Sequence, residues 1–202
     1  GVGIIVLTVA LLPLLGIGGV ELFTAEAPGP TQEKIHPRIK ETAKRLWLIY
    51  SGLTAVLCVL LFCNGMTFFD AINHSMTTMA TGGFSTKNAS IAHFSNPTIQ
   101  YIIMLFMFVA GINYTVIYFG LKGRLKTVWQ SEEFRFYIIV VLSLIILLTL
   151  GISIGKDHYS FSFLEQNFRE MAFQVISIIT TTGFITADYT AWSVSITFIF
   201  LI

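Results

Sequence analysis

Long apolar segments alternate with short polar ones along this chain. Residues 46–63 (LWLIYSGLTAVLCVLLFC), 99–121 (IQYIIMLFMFVAGINYTVIYFGL) and 136–155 (FYIIVVLSLIILLTLGISIG) carry no charge. Each is close to the roughly 20 residues that cross about 30 Å of hydrocarbon, so each predicts a membrane-spanning helix. Residues 1–20 form a further apolar stretch, and 192–202 (WSVSITFIFLI) begin another. Two weaker helical patterns, 68–80 (FFDAINHSMTTMA) and 168–180 (FREMAFQVISIIT), are too short to span. At 1.5 Å per residue, 12 residues reach roughly 18 Å. Such segments predict surface helices or re-entrant ones that dip in and turn back. Each leads into a polar loop: TTMATGGFSTKN at 77–88 and SIITTTGFITAD at 177–188.

Composition agrees with a membrane protein. The 202 residues are 54% hydrophobic and 11% charged, with mean hydropathy +0.77. A soluble domain carries about 25% charged residues. The chain opens on GVGIIVL, without Met, charged leader or cleavage site, and 192–202 reads as an unfinished span. A central piece of a longer polypeptide is therefore expected.

The placement of charge sets the orientation. Nine of the twelve Lys/Arg lie in two connectors. One holds Lys34, Arg38, Lys40, Lys44 and Arg45; the other holds Lys122, Arg124, Lys126 and Arg135. The positive-inside rule makes both connectors cytoplasmic. Beside membrane spans, a basic run sets topology and does not indicate nucleic acid. Span 46–63 then runs outward, 99–121 returns, and 136–155 runs out again. Both polar loops fall on the external side. The connector APGPTQEKIHPRIKETAKRLW combines a Pro-Gly-Pro turn with a short basic helix.

Sliding the chain against itself by 100 residues superposes the two loops. Phe68 falls on Phe168, Asp70 on Glu170, Thr81 on Thr181, Gly83 on Gly183, Phe84 on Phe184 and Thr86 on Thr186. The repeating unit is span, short helix, Thr-x-Gly-Phe loop, span. Repeated membrane units surround a shared axis, with function at their interface. Non-helical backbone at membrane depth is tolerated only where protein buries it or where it lines a watery path. Glycine allows φ > 0, so successive carbonyls can face one direction and replace a cation's water shell. A helix C-terminus aimed inward adds negative potential. No carboxylate lies between Thr81 and Thr86 or between Thr181 and Thr186. That favours a weakly hydrated monovalent cation over a divalent one.

These residues resemble the Trk/Ktr/HKT superfamily of potassium transporters, and within it the bacterial TrkH-like pore-forming subunit. The likeness rests on LLPLLGIGGVELFTAEAPGPTQEKIHPRI, ATGGFSTKNASI and AFQVISIITTTGFITADYTAW. It implies an all-α integral membrane fold: tandem span–pore helix–filter–span repeats around a pseudo-fourfold pore, as in potassium channels. Residues 1–23 would be the second span of repeat one and 24–45 a cytoplasmic connector. Residues 46–124 would be repeat two, 125–133 a second connector, and 134–202 most of repeat three. The implied K⁺ selectivity filter is Thr81, Gly82, Gly83 and Phe84 with Thr181, Thr182, Gly183 and Phe184. Gly83 and Gly183 match the family's selectivity glycine. The remaining filters, a glycine-rich gating loop and a gating arginine lie elsewhere in such proteins.

The resemblance also implies partners: membrane lipid, a homodimer with one pore per protomer, and a cytoplasmic ring of TrkA/KtrA-like nucleotide-binding subunits. NAD(H) or ATP/ADP would act only through that ring; the chain itself implies no cofactor and no nucleic acid. Arg38, Lys40, Arg124 and Lys126 are candidate docking positions, with topology-setting charge as their simpler role. The expected location is a multi-pass bacterial inner membrane.

Other residues carry blander expectations. Asn88 and Asp188 brace the loops as turn caps. Asp70 and Glu170 cap the first turns of the short helices. His74 has Gln174 as its counterpart, which cannot titrate, so packing or hydrogen bonding to the filter backbone is expected of it. His36, His93 and His158 show no ligand spacing. Asn113 predicts an interhelical hydrogen bond, or else a place in an inner cavity. Pro13 with Gly16, Gly18 and Gly19 suggests a kink and close helix approach. Cys58 and Cys63 are inert thiols. There is no Gly-x-Ser-Gly, no His-Glu-x-x-His and no carboxylate pair within a span. An intramembrane enzyme or a structural scaffold is therefore disfavoured. Sodium or mixed conduction stays open as the alternative within transport.

Overall fold

The computed structural model describes residues 39–153 and 161–187, with side chains for 45–149, 151 and 164–187. Among these residues every regular element is helical. Helix α1 is Ile39–Cys63 and α2 is Phe68–Met79; a 3-10 helix follows at Ser90–His93. Next come α3 (Pro97–Ala110), α4 (Tyr114–Leu121), α5 (Leu125–Gln130), α6 (Glu132–Ser153) and α7 (Phe161–Ile179).

The apolar pattern produces α1 as expected. Its stretch Arg45–Cys63 has mean hydropathy 2.3 and only 17% of that window is buried. A soluble core helix of that hydropathy would be covered; here Val56, Val59 and Phe62 lie exposed, as on a lipid-facing span. Ile139, Leu142 and Ile146 are exposed in the same way on α6. Cys58 and Cys63 are unpaired.

The predicted continuous span 99–121 is corrected. It is two helices, α3 and α4, interrupted at Gly111–Asn113. The Gly111 N–H bonds back to the Met107 carbonyl and closes α3. The Asn113 side chain then accepts the Thr115 N–H at 3.0 Å and starts α4. Asn113 is thus foremost an N-cap. Its amide also reaches Glu133 Oε2 on α6 at 3.4 Å, which is the interhelical bond the sequence suggests.

The second short helix is also corrected. It begins at Phe161, so α7 has 19 residues. Glu165–Arg169 at 3.5 Å and Gln166–Glu170 at 2.9 Å are i,i+4 contacts that extend it upstream. Glu170 therefore lies mid-helix and does not cap a first turn.

The described residues form two compact units. One contains 39–56 and 112–137; the other contains 57–111 and 138–187. In the second, α3 packs against α2 and α7. Ile91, Ile103, Met107, Met171, Phe173 and Phe184 are among its fully buried side chains. The Tyr101 hydroxyl donates to Glu165 at 2.9 Å, fastening α3 to α7. Both loops belong to this unit.

Candidate functional site

The loop after α2 begins by closing the helix. The N–H of Thr81 bonds the Thr78 carbonyl at 3.0 Å, and that of Gly82 bonds the Thr77 carbonyl at 2.8 Å. This pair of bonds is a Schellman motif, with Thr81 in the left-handed position at φ 50°. The loop after α7 repeats it. Thr181 bonds Ile178 at 2.9 Å, Thr182 bonds Ser177 at 2.8 Å, and Thr181 has φ 55°. Glycine or asparagine usually fills that position. A β-branched residue there is an outlier costing roughly 1–3 kcal/mol. Its occurrence at both equivalent positions makes it a designed feature of the repeat.

Two residues on, the backbone turns left-handed again, at Gly83 (φ 64°) and Gly183 (φ 86°). Left-handed residues therefore alternate at 81 and 83, and at 181 and 183. The carbonyls of Thr81, Gly82, Gly83, Thr181, Thr182 and Gly183 accept no hydrogen bond among the described residues. Among the described residues their lone pairs are unused. The Phe184 carbonyl differs, since it accepts the Ser177 hydroxyl at 2.8 Å.

The two loops meet through their backbones. A Cβ placed on Gly83 would collide with the Thr182 carbonyl, lying 2.9 Å from its carbon and 3.1 Å from that of Gly183. Gly183 has open space around it. Gly83 is thus required twice, by φ and by contact; Gly183 is required by φ alone. The phenylalanines also differ: Phe84 is 76% exposed and Phe184 fully buried.

Gly82 and Thr182 are the one mismatch within the four-residue core, and the structure couples it to a second. Thr180 donates to the Ile176 carbonyl at 2.7 Å and shares a 2.8 Å hydroxyl contact with Thr182. In the other loop those positions are Ala80 and Gly82. Both hydroxyls are absent together, so neither is left buried without its partner.

Behind the first loop lies a polar brace. Thr67 caps α2 by accepting the Asp70 N–H at 3.1 Å, and its hydroxyl donates to Asp70 at 2.8 Å. Buried Asp70 also accepts the Thr86 hydroxyl and pairs with Lys87 at 3.4 Å. The Thr86 hydroxyl above all, helped by Thr67 and Lys87, holds the Asp70 carboxyl below its ordinary range, against burial that works the other way. Asp70 is therefore a cap and also the anchor of the loop's return. Buried His74 bonds the Asp70 carbonyl through Nδ1 at 2.7 Å and the Ser85 hydroxyl through Nε2 at 2.9 Å. Its ring lies edge-on to Phe94 at 5.3 Å and tilted against Phe184 at 6.0 Å. It thus touches both loops, bonding the first through a side chain and not through the filter backbone. Asn88 sits exposed in the turn that follows; the ties back to the helix run through Ser85, Thr86 and Lys87 instead. Asp188 lies outside the described residues.

The second loop is held differently. Gln174 and Asn167 are buried where the first has His74 and Thr67, yet the amide nitrogens of both, and the Thr186 hydroxyl, have no partner among the described residues. Ser177 of α7 ties this loop back at the Phe184 carbonyl, and the remaining fastening comes from the 3-10 helix. Ile185 donates to Ser90 Oγ at 3.2 Å, and its carbonyl accepts the Ala92 N–H at 3.1 Å. Sequence reasoning gave Ser90–His93 no role. A serine with φ 54° leaves no signal in a pattern of apolar positions.

Of the basic candidates, Arg124 and Lys126 are exposed around the start of α5. Arg38 and the Lys40 side chain lie outside the described residues. Among the described residues no cluster of His, Cys, Asp and Glu could hold a metal.

The whole chain, residues 1–202, matches the family model described as a cation transport protein, TrkH. It is 46% identical to the Trk system potassium uptake protein TrkH of Escherichia coli K12, over 95% of this chain and 40% of that protein. It is 36% identical to the Trk system potassium uptake protein TrkG of the same organism, over 95% and 39%. The crystal structure of the potassium transporter TrkH from Vibrio parahaemolyticus matches with TM-score 0.75 at 36% identity, over 98% of this chain and 39% of that one. The chain thus spans about two fifths of the relatives it matches. Helical architecture, the exposed apolar stretch Arg45–Cys63 and paired Thr-x-Gly-Phe loops agree with that match: this chain belongs to the TrkH family of membrane cation transport proteins and not to an enzyme family.

Proposed function

We propose that this chain supplies two of the walls of a potassium-selective pore and serves K⁺ uptake across the cell membrane. The observation that carries the reading is the matched backbone: left-handed residues at 81 and 83 and again at 181 and 183, with Gly83 against the Thr182 carbonyl. Alternating handedness turns successive carbonyls toward one side, and those of both TxG segments accept no hydrogen bond among the described residues. Carbonyl oxygens suit a large, weakly hydrated monovalent ion. Further repeats of the same kind would complete a pseudo-fourfold ring whose filter is residues 81–84 and 181–184. Relatives named as potassium uptake proteins support the choice of ion. Sodium or mixed conduction is less favoured, because both loops keep glycine.

In this reading the loops are external and the basic connectors cytoplasmic. Exposed Arg124 and Lys126, with Arg38 and Lys40, face a regulatory nucleotide-binding ring, and the transporter works as a dimer. NAD(H) or adenine nucleotides act through that ring.

The test is ion uptake by the full-length protein carrying Gly83→Ser or Gly183→Ser. Loss of K⁺ over Na⁺ discrimination is expected in both. Unchanged K⁺ affinity with unchanged discrimination would falsify the filter assignment. Docking is checked by charge reversal at Arg124 and Lys126. Recovery of the ring in a pull-down should fall; full recovery by a correctly inserted variant counts against this surface.

A further inference from the structure

At the charged end of α1, two cations converge on one tyrosine. Arg45 donates from its guanidinium to the Tyr118 hydroxyl, and its Cζ lies 5.8 Å from the centre of that ring. The Lys122 ammonium lies 5.1 Å from the same ring centre. The residues come from α1 and from the end of α4, within one compact unit. Neither cation pairs with a carboxylate among the described residues. Two like charges held beside one phenol repel each other, and the phenol's oxygen and ring face offset that only weakly. An anion between them would relieve the repulsion.

The position identifies the anion. Arg45 is the first residue of the apolar stretch Arg45–Cys63, and Lys122 follows the last residue of α4. Trp47 and Leu48 beside Arg45, and Trp129 beyond Lys122, are exposed. Exposed tryptophan next to basic residues at the end of a span marks the headgroup level. Basic pockets between helices on the cytoplasmic side take anionic headgroups.

We infer that Arg45, Tyr118 and Lys122 form a binding site for the phosphate headgroup of an anionic phospholipid. Arg45 presents a planar fork to two phosphate oxygens. Lys122 supplies a second point charge, and the Tyr118 ring holds both cations near it. The site is independent of the ion filter and needs no assumption about its selectivity.

The experiment uses purified full-length transporter and native mass spectrometry. Phosphatidylglycerol, phosphatidylcholine and inorganic phosphate are added separately. Wild type should retain phosphatidylglycerol in preference to phosphatidylcholine, and phosphate alone should not displace it. Lys122→Gln and Arg45→Gln should each weaken the first phosphatidylglycerol adduct about fivefold. Lys122 is exposed, so its variant reports even if the Arg45 variant folds poorly. Equal retention of both lipids, an adduct indifferent to Lys122→Gln, or displacement by free phosphate would each overturn the assignment.

Discussion

Thr81 and Thr181 are the residues at which local preference and observed conformation disagree most. Each occupies a left-handed helix-closing position where glycine would be cheaper. The hydroxyl-bearing side chain must therefore matter for something other than stability. Thr81→Gly and Thr181→Gly should leave thermal stability unchanged or raise it by about 1 kcal/mol, while lowering K⁺ over Na⁺ discrimination in uptake. A variant that is both less stable and fully selective would contradict that separation. The glycines differ in the same quantitative way. Gly183→Ala meets only the left-handed penalty of about 1–2 kcal/mol, whereas Gly83→Ala also meets the Thr182 carbonyl. Thermal denaturation should rank Gly83→Ala as the more damaging. Equal losses would mean that the two loops do not touch as described. The glycines were legible from the repeat, because glycine in a polar loop signals φ > 0. The strained threonines were legible only as repeated letters, since propensity argues against that conformation.

Among the elements, α2 and α7 each lead into a Thr-x-Gly-Phe loop but differ in support. Repeat alignment pairs Asp70 with Glu170, and the sequence offers no reason to separate them. The structure separates them because α7 starts seven residues before the repeat boundary, so Glu170 sits on a mid-helix face beside Gln166. Asp70 is at the first turn, where Thr67, Thr86 and Lys87 all reach it. Removing the charge with Asp70→Asn should cost about 2 kcal/mol, the range for hydrogen bonds to a buried ionised group. Glu170→Gln should change stability by less than about 0.5 kcal/mol, as for an ordinary surface position. Chemical denaturation in detergent gives both values, and similar losses would remove the distinction. The break between α3 and α4 was partly legible. Gly111-Ile112-Asn113 is stop-and-start chemistry, yet hydropathy averaged over 99–121 hides it, because both halves are apolar. The 3-10 helix Ser90–His93 was not legible, because its role depends on Ile185, 95 residues from Ser90.

At the scale of the whole molecule, the two repeats are alike in backbone and unlike in side chains. A ring built from such units has equivalent carbonyl geometry but inequivalent walls. One asymmetry lies at Ala80/Gly82 against Thr180/Thr182, and residue 82 has room for a Cβ. A Cβ on Gly82 would stand 3.5 Å from Phe84 Cδ2 and 3.7 Å from the Thr77 carbonyl, both ordinary contacts. Ala80→Thr with Gly82→Thr should therefore fold and form a hydroxyl pair like that of Thr180 and Thr182. Each single change leaves one new hydroxyl without that partner. A double-mutant cycle should then give a favourable coupling of about 0.5–1.5 kcal/mol, the net worth of one hydrogen bond. If wall asymmetry tunes the pore, the double variant keeps K⁺ uptake while its K⁺ over Na⁺ ratio moves. An unchanged ratio with positive coupling would mean that the difference between the loops concerns packing alone. Zero coupling would mean instead that the two loops do not share one fold at residue 82.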